Sequence, residues 1–306
     1  MPTIYNRLLS TFADLDAETQ EAGKKGISPE HLRLNISGSA ALPTPTKKAW
    51  SLLSSGNVLL ERYGMTEVGM ALSCGLPFSS RVDGSVGWPL PFVEVRLVDT
   101  ETGEVIQPGE ELDSHGKERD GEIQLRGPTV FKEYWRNPEA TAKEHVRGED
   151  GKGRWFKTGD VAVRRTITSQ SAPSSPSNSQ SWDKGPMYFI RGRKSADIIK
   201  SGGEKVSALE VERELLSLPE IEEAAVVAVP SEKWGQKVGA VVILKADAQG
   251  RRGKWGAMDM RRALRGRLAG YKIPHLMKVV DEIPRNAMGK SELYLRPSSQ
   301  LSFHVT

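Results

Sequence analysis

A short apolar run followed by a polar cluster constrains this chain more than any other feature. Residues 58–60 (Val-Leu-Leu) are typical of a buried strand, and an aromatic ring (Tyr63), a hydroxyl (Thr66) and a carboxylate (Glu67) follow them. We predict that Gly64 ends the strand. In an open α/β sheet, ligands bind beyond the carboxyl ends of the strands, so the cluster lies where a site is expected.

The chemistry of this cluster suits a nucleotide. The Tyr63 ring can stack on a base, the Thr66 hydroxyl can bond a phosphate, and the Glu67 carboxylate can hold a hard cation such as Mg²⁺. The same residues also fit a strand-to-loop turn with an ordinary tyrosine and a solvated glutamate. For so short a stretch taken alone, that plainer interpretation is favoured.

Composition excludes several classes of protein. The 306 residues are enough for two domains, and 43 Lys and Arg against 39 Asp and Glu give a mild charge of +4, which suits anionic ligands and does not call for nucleic acid. The single cysteine, Cys74, excludes a disulfide framework and a Cys-rich zinc site, and it fits a small buried residue better than a catalytic thiol. There is no transmembrane run and no secretory signal at Met1, so we expect an intracellular protein, cytoplasmic or mitochondrial.

The first half of the chain predicts a sheet edge and then a β-rich part. Residues 32–36 alternate like a strand, and Thr44 before Pro45 predicts a helix start, with the helix ending near Gly56. The small residues 38–41 between them allow close approach to a flat ligand, or simply form a tight turn. Residues 84–165 predict a small, partly antiparallel β subdomain, with strands at 93–98 and 122–126 among others.

The second half contains a low-complexity stretch and a separate small domain. Residues 166–185 are rich in Ser, Gln, Pro and Asn, so we predict a disordered surface insertion within 164–186. Residues 191–306 predict a small α/β domain, with a capping box at Ser207 and Glu210 and a flexible break at residues 201–203. The predicted strands lie at 197–200, 224–229, 239–244 and 277–280, and an amphipathic helix over 258–269 is stopped by Gly270.

The string Tyr-Gly-Met-Thr-Glu at 63–67 resembles the signature of the adenylate-forming superfamily, which includes acyl-CoA synthetases, luciferases and peptide-synthetase adenylation domains. Four further strings resemble family motifs and occur in family order, at residues 127–128, 155–160, 191–193 and 284–290. The resemblance therefore extends from about residue 30 to residue 290. The implied fold is α/β and α+β. Residues 1–190 would be part of the large AMP-binding domain, and residues 191–306 the small mobile C-terminal domain.

The resemblance implies an ATP-dependent acid–CoA ligase that uses Mg²⁺ and takes coenzyme A as cosubstrate. The implied nucleotide-binding residues are Gly38, Ser39, Ala40, Tyr63, Gly64, Asp160 and Arg193. Asp160 and Arg193 would hold the ribose, although an Asp after a Gly is more often only a turn residue. Thr66 and Glu67 are implied catalytic residues, with Glu67 the magnesium ligand.

The resemblance also implies a rotating small domain. Lys290 matches the catalytic lysine of acyl-adenylate formation, and the hinge falls within residues 194–197, with Asp197 as the pivot. Gly202 and Gly203 would leave room for the pantetheine arm of coenzyme A, or form a flexible surface loop. As an isolated residue, Lys290 would be interpreted as a solvated surface charge.

The prediction of which acid is the substrate depends mainly on Arg62, and Met65 is a second residue expected to contact the acid. Glu-Arg-Tyr-Gly-Met-Thr-Glu resembles malonyl-CoA synthetases, and an arginine there could pair with a second substrate carboxylate as a bidentate fork. Malonate or methylmalonate is thus expected ahead of a fatty or aromatic acid. Alternatively, Arg62 bridges to Glu61 or to a neighbouring loop.

The sequence departs from the family pattern in several ways: strands and helices of the large domain are missing, residues 297–306 are Ser-rich and irregular where a basic helix is expected, and the phosphate loop is missing. The Ser/Thr/Gly-rich phosphate loop is missing from the 306 residues, so we expect this chain by itself to lack synthetase activity. A non-catalytic fragment is therefore an alternative. A peptide-synthetase adenylation domain is a weaker one, since no carrier segment follows.

Overall fold

The computed structural model describes residues 2–167, 181–245 and 255–284. Within these residues, backbone contacts divide the chain into two compact units. The first comprises the described parts of Met1–Leu42 and Thr46–Ile190, and the second those of Pro43–Pro45 and Arg191–Thr306.

The first sheet of the first unit carries the signature. Its strands are β1 (Ile36–Ser37), β2 (Leu60–Met65), β3 (Gly69–Ser73) and β4 (Trp88–Pro89), in the order β1-β2-β3-β4. β1 runs parallel to β2, and the other pairs are antiparallel. The helices near this sheet in sequence are α1 (Pro2–Thr11), α2 (Ala17–Ile27) and α3 (Thr44–Leu53). α3 confirms the predicted helix start at Thr44, and the chain leaves the helix shortly before Gly56, which has a φ of 92°.

The second sheet is the β-rich part predicted from the short strands. Its described strands are β5 (Glu94–Asp99), β6 (Val105–Ile106), β7 (Gly121–Arg126), β8 (His145–Arg147), β9 (Arg154–Arg165) and β10 (Met187–Arg193). Their order is β10-β9-β7-β5-β6, with β8 paired to β9, and α4 (Pro138–Glu144) precedes β8. One buried cluster joins the two sheets, because Leu72 of β3 packs with Leu97, Ile123 and Phe156.

The second unit is a small α/β layer structure. Its strands are β11 (Ile198–Ser201), β12 (Glu204–Ser207), β13 (Ile221–Ser231), β14 (Gly235–Leu244) and β15 (Leu276–Val279), in the order β12-β11-β14-β13 with β15 parallel to β14. The helices α5 (Ala208–Leu216) and α6 (Ala257–Leu264) cover the sheet, and the core contains Val211, Leu215, Val226, Val242 and Met260. Both units together confirm the predicted α/β and α+β class.

Three local predictions need correction. α6 ends at Leu264 and not at 269, because the chain turns at Gly266 (φ 80°) and returns Leu268 to the core. Ser207 caps α5 as predicted by accepting the Glu210 N–H, but the Glu210 carboxylate accepts hydrogen bonds from Arg191 and Lys272. Residues 201–203 are no flexible break, because strand pairing continues on both sides of Gly202 and Gly203.

The insertion predicted at residues 164–186 was drawn too wide, because the described residues at both of its ends are ordered parts of the first unit. Arg164 and Arg165 belong to β9, and Trp182 packs against the buried cluster of Trp88 and Phe189. Residues 168–180, which hold most of the predicted insertion, lie outside the described residues.

Candidate functional site

The signature forms a hairpin, and Gly64 lies inside its first strand. β2 continues through Gly64 to Met65 and returns as β3, with a register shift between Tyr63 and Gly64. The prediction that Gly64 ends the strand is therefore wrong. A Cβ at Gly64 would lie 2.0 Å from the carbonyl oxygen of Gly69, so glycine is required because the two strands approach closely.

The tip of this hairpin presents the polar residues of the signature. The Val68 N–H donates to the Met65 carbonyl (3.1 Å), which closes a turn, and Thr66 is exposed while Glu67 is half-buried. Met65 packs against the core cluster between the two sheets. The hairpin thus places the Thr66 hydroxyl and the Glu67 carboxylate at the surface on a fixed backbone.

The small residues after β1 lie against the start of the signature. β1 pairs with β2 through Ser37 and Glu61, and a Cβ at Gly38 would lie 3.1 Å from the Arg62 carbonyl oxygen. Ser39 has a φ of 68°, in the left-handed region that favours glycine. Non-glycine residues with this strained backbone conformation cluster at binding sites in proteins. The structure therefore brings residues 38–40 and the signature strand side by side, as a shared site requires.

A long-range hydrogen bond joins two of the predicted nucleotide residues. The Tyr63 hydroxyl donates to Asp160 Oδ2 at 2.7 Å, and Asp160 is buried. Asp160 does not lie in a loop as predicted: it is part of β9, where the register against β7 shifts between Glu122 and Gln124. The sequence suggested a loop there because Gly159, with a φ of 72°, produces this irregularity within the strand.

The beginning of the string at 155–160 has a structural role. The guanidinium groups of Arg96 and Arg126 both contact the Trp155 ring, with their Cζ atoms 4.5 and 4.3 Å from the ring centroid. Arg126 also forms ion pairs with Glu94 (2.6 Å) and Asp150 (2.7 Å), and its hydrogen bonds hold the pKa of Asp150 well below the ordinary value. Cation–π contacts and paired charges therefore fix the start of β9, which carries Asp160 further along.

Glu67 is held by residues that the sequence argument missed. The Tyr134 hydroxyl donates to Glu67 Oε1 at 3.1 Å, and the Phe131 N–H donates to the Glu67 carbonyl oxygen at 2.7 Å. Burial raises the pKa of Tyr134 to about 12, with a further contribution from the hydrogen bond to Glu67. The only sequence signal was a pair of aromatic residues three apart, shortly after the Gly-Pro at 127–128.

Glu61 and Arg62 point to opposite sides of β2, as successive strand residues do. Glu61 forms an ion pair with Lys47 at 2.8 Å, and each of these side chains is only 7% exposed. The Arg62 guanidinium is half-buried and has no hydrogen bond or ion pair within the described part of the chain. The alternative that Arg62 bridges to Glu61 is therefore wrong.

Cys74 is buried close to this ion pair, which confirms the prediction that it is a small buried residue. Burial raises its pKa to about 12, and the charge of Glu61 adds to the increase. A thiol with such a pKa stays protonated at neutral pH, so Cys74 is not an active nucleophile.

In the second unit, the predicted hinge is a tight turn. The Arg193 N–H donates to Asp197 Oδ2 (2.8 Å), the Asp197 N–H donates to the Arg193 carbonyl (2.9 Å), and the Ala208 N–H donates to the Asp197 carbonyl (2.8 Å). Gly192 has a φ of 127°, and a Cβ there would lie 2.4 Å from Cβ of Asp197. Asp197 thus fastens the turn that contains Arg193.

The residues just before this turn are also fixed. Arg191 Nη1 lies 3.0 Å from Glu210 Oε2, and Lys272 Nζ lies 2.8 Å from the other carboxylate oxygen. The Arg191 carbonyl also accepts a hydrogen bond from the Ser207 hydroxyl. Arg191 is therefore attached to α5, the helix that Ser207 caps.

Gly202 and Gly203 form the two-residue turn between β11 and β12, with φ values of 59° and 87°. Both values suit the hairpin turn in which glycine is preferred. A Cβ at Gly202 would also lie 2.7 Å from the Trp234 ring. Lys290 lies outside the described residues, so its predicted role stays a prediction.

The donors present fit a magnesium ion that is bound mainly through a nucleotide. The described residues hold no cluster of three or more His, Cys, Asp or Glu side chains suited to a metal. Mg²⁺ is usually bound by one or two carboxylates together with substrate phosphates, and Glu67 with the Thr66 hydroxyl offers oxygen donors of this kind.

Across the described helices, none has the length and apolar character of a membrane span.

Two family models match the chain. The model described as AMP-binding enzyme matches residues 1–135, and the model described as AMP-binding enzyme C-terminal domain matches residues 210–290. The chain belongs to the adenylate-forming acyl-CoA synthetase superfamily. This membership confirms the resemblance carried by the strings at 63–67, 127–128, 155–160, 191–193 and 284–290.

Three relatives within this superfamily illustrate the match. A CoA ligase of Gibberella moniliformis is 59% identical over 95% of this chain and 47% of its own length. The mitochondrial malonate–CoA ligase of Mus musculus is 42% identical over 99% of this chain and 49% of its own length. The ATP-bound structure of MatB from Rhodopseudomonas palustris has a TM-score of 0.70 at 34% identity, over 96% of this chain and 48% of that one. The chain therefore spans about half the length of the relatives it matches.

Proposed function

We propose that this chain serves an ATP-dependent acid–CoA ligase that activates malonate or methylmalonate, first as the acyl-adenylate and then as the thioester of coenzyme A. The observation that carries the proposal is the Arg62 guanidinium, which has no partner among the described residues and directly precedes the signature residues of β2. A dicarboxylate supplies the partner that such a group needs, because a second carboxylate matches the guanidinium fork. The mouse relative is named a malonate–CoA ligase, which agrees with this choice.

The roles of the first unit follow from the geometry of the hairpin. Residues 38–40 and the Tyr63 ring would enclose the adenine, with Gly64 allowing the close backbone approach. Asp160, which is joined to Tyr63 at 2.7 Å, would hold the ribose. Glu67 would hold Mg²⁺, which neutralises phosphate charge when bound, and the Thr66 hydroxyl would donate to a phosphate oxygen. Met65, which follows Gly64 in β2, would contribute to the acid pocket.

The roles of the second unit concern the two half-reactions. Lys290 would stabilise the negative charge that develops at the α-phosphate during adenylation, and Arg193 would share the ribose with Asp160. Asp197 would be the pivot, and the glycine turn at 202–203 would admit coenzyme A. In this proposal residues 1–190 are part of the large domain and residues 191–306 form the small domain. The compartment is intracellular, with mitochondria one option because the mouse relative is named mitochondrial.

The test of the substrate is a set of Arg62 variants. We expect Arg62→Ala to weaken malonate binding about 10- to 100-fold, the equivalent of a charge-assisted hydrogen bond of about 1.5–3 kcal/mol, and to leave ATP binding nearly unchanged. Calorimetric titration of the chain with malonate in the presence of AMP measures this loss. Arg62→Lys is the matched control, because it keeps the charge and loses the fork.

A preference for acetate, a medium-chain acid or an aromatic acid over malonate would contradict the dicarboxylate assignment. It would leave the ligase class intact. Failure of the wild-type chain to bind AMP would contradict the nucleotide-binding roles proposed for the first unit, because AMP carries no β- or γ-phosphate that the missing loop would have to hold.

A further inference from the structure

Glu67 is held at both ends by a segment outside its own hairpin. Its carbonyl oxygen accepts the Phe131 N–H at 2.7 Å, and its Oε1 accepts the Tyr134 hydroxyl at 3.1 Å. The two donors are three residues apart, and both lie in the stretch between β7 and α4. The same neighbouring segment thus hydrogen-bonds both the backbone and the carboxylate of Glu67.

Tyr134 is itself held in place by its own neighbours. Its N–H donates to the Thr141 hydroxyl at 2.9 Å, and Thr141 in turn donates to the Asn137 carbonyl at 2.9 Å. Its ring meets the Phe131 ring edge-to-face at a centroid distance of 4.7 Å, and Phe131 meets Phe156 in the same manner at 5.2 Å. Phe156 belongs to the core cluster of the first unit and Phe131 packs against that cluster, so the tyrosine hydroxyl is presented on a rigid support.

We infer that Tyr134 positions the Glu67 carboxylate for the cation that accompanies the nucleotide. This inference rests on the proposed function, in which Glu67 holds Mg²⁺. A hydrogen bond to Oε1 selects one orientation of a half-exposed side chain and leaves Oε2 for the metal. Mg²⁺ requires near-ideal octahedral geometry, so an oriented carboxylate binds it better than a rotating one.

Tyr134 is a positioning residue in this arrangement, because it acts through Glu67. Its hydroxyl remains a neutral donor across the physiological range, since burial and the contact with Glu67 raise its pKa to about 12. If only the packing of Tyr134 mattered, phenylalanine would serve equally well, because it makes the same ring contacts without a hydroxyl. The hydroxyl is therefore the group to remove.

The test measures the affinity of the 306-residue chain for ATP with Mg²⁺ and with EDTA, and takes the ratio of the two. Tyr134→Phe keeps the ring and removes the donor, and we expect it to lower the ratio about tenfold, in line with the loss seen when other groups that orient metal ligands are removed. Glu67→Gln should bring the ratio close to one. Tyr5→Phe is the matched control, because it removes a hydroxyl that donates to the Ile36 carbonyl (2.7 Å), and its ratio should equal that of the wild type.

The ratio is insensitive to a general loss of folded protein, because both affinities come from the same variant. A ratio for Tyr134→Phe equal to the wild-type value, while Glu67→Gln loses it, would overturn the positioning role and leave the proposed function standing. A wild-type chain whose ATP affinity ignores Mg²⁺ would overturn both the proposed role of Glu67 and the inference that depends on it.

Discussion

The two units hold their candidate residues in different ways. In the first unit, the side chains that matter are joined over long stretches of chain: Tyr63 to Asp160, and Glu67 to Tyr134. In the second unit, Asp197 bonds to Arg193 four residues away, and Gly202 and Gly203 are fixed by the hairpin turn they form. The first unit therefore depends on tertiary packing for its site, and the second largely on local backbone geometry.

This difference has a physical consequence for substitutions. Long-range contacts in a buried region remove charged or polar groups from water, so losing one partner leaves the other unsatisfied. Local contacts at an exposed turn can be replaced by water. Substitutions in the first unit should thus cost more stability than those in the second.

The largest effect is expected at the buried ion pair before the signature. Lys47→Met leaves Glu61 buried opposite an apolar side chain, and breaking a buried pair by removing one partner costs about 3–5 kcal/mol. Urea unfolding followed by circular dichroism measures the loss. The double variant Lys47→Met/Glu61→Leu is the control and should recover most of the stability. A single variant as stable as the wild type would contradict the importance given to long-range pairing in the first unit.

A smaller effect is expected for the bond between the two nucleotide residues. Tyr63→Phe removes the donor to the buried Asp160 carboxylate, and a hydrogen bond to a charged group is worth about 1.5–3 kcal/mol. The same variant should also weaken AMP binding, because Asp160 loses its orientation while the aromatic ring stays. Thermal unfolding with and without AMP separates the two effects. Unchanged unfolding together with weaker AMP binding would show that the hydroxyl contacts the nucleotide instead.

At the glycine turn of the second unit, we expect a purely local cost. Gly203→Ala meets no atom within 4 Å, so its penalty is the left-handed φ of 87°, about 1–2 kcal/mol. Gly202→Ala should cost more, because its Cβ would also meet the Trp234 ring at 2.7 Å. Unfolding of both variants in parallel checks the order. Equal losses would mean that the ring moves aside freely.

The smallest effect is expected at the predicted pivot. Asp197→Ala removes one acceptor from the Arg193 N–H in a half-exposed turn, worth about 1 kcal/mol or less. Asp197→Asn keeps an acceptor oxygen and serves as the control. If the pivot proposal holds, Asp197→Pro should impair thioester formation more than adenylation, which rapid-quench assays of the two half-reactions measure in a synthetase that joins these residues to a phosphate loop. A stability loss for Asp197→Ala as large as that for Lys47→Met would remove the contrast between the units.

Much of the fold could be predicted from the sequence because its signals are local. Apolar runs located β13, β14 and β15, and Ser207 and Thr44 marked helix starts through side-chain and proline preferences that act within one turn. The end of α6 was missed because Leu268 is needed in the core, and burial there outweighs the helical pattern. Gly64 was misjudged because its requirement comes from the approach of Gly69 on the returning strand.

By itself, the sequence determined the superfamily, the identity of most candidate residues and the alternation of helices and strands. Those properties depend on residue types and short spacings. Only the tertiary structure decided which residues meet: that Glu61 pairs with Lys47 and not with Arg62, that Tyr63 reaches Asp160, and that Tyr134 holds Glu67. The reason is that packing fixes such pairs across stretches of 14, 97 and 67 residues, and no local preference of the chain encodes a distance of that kind.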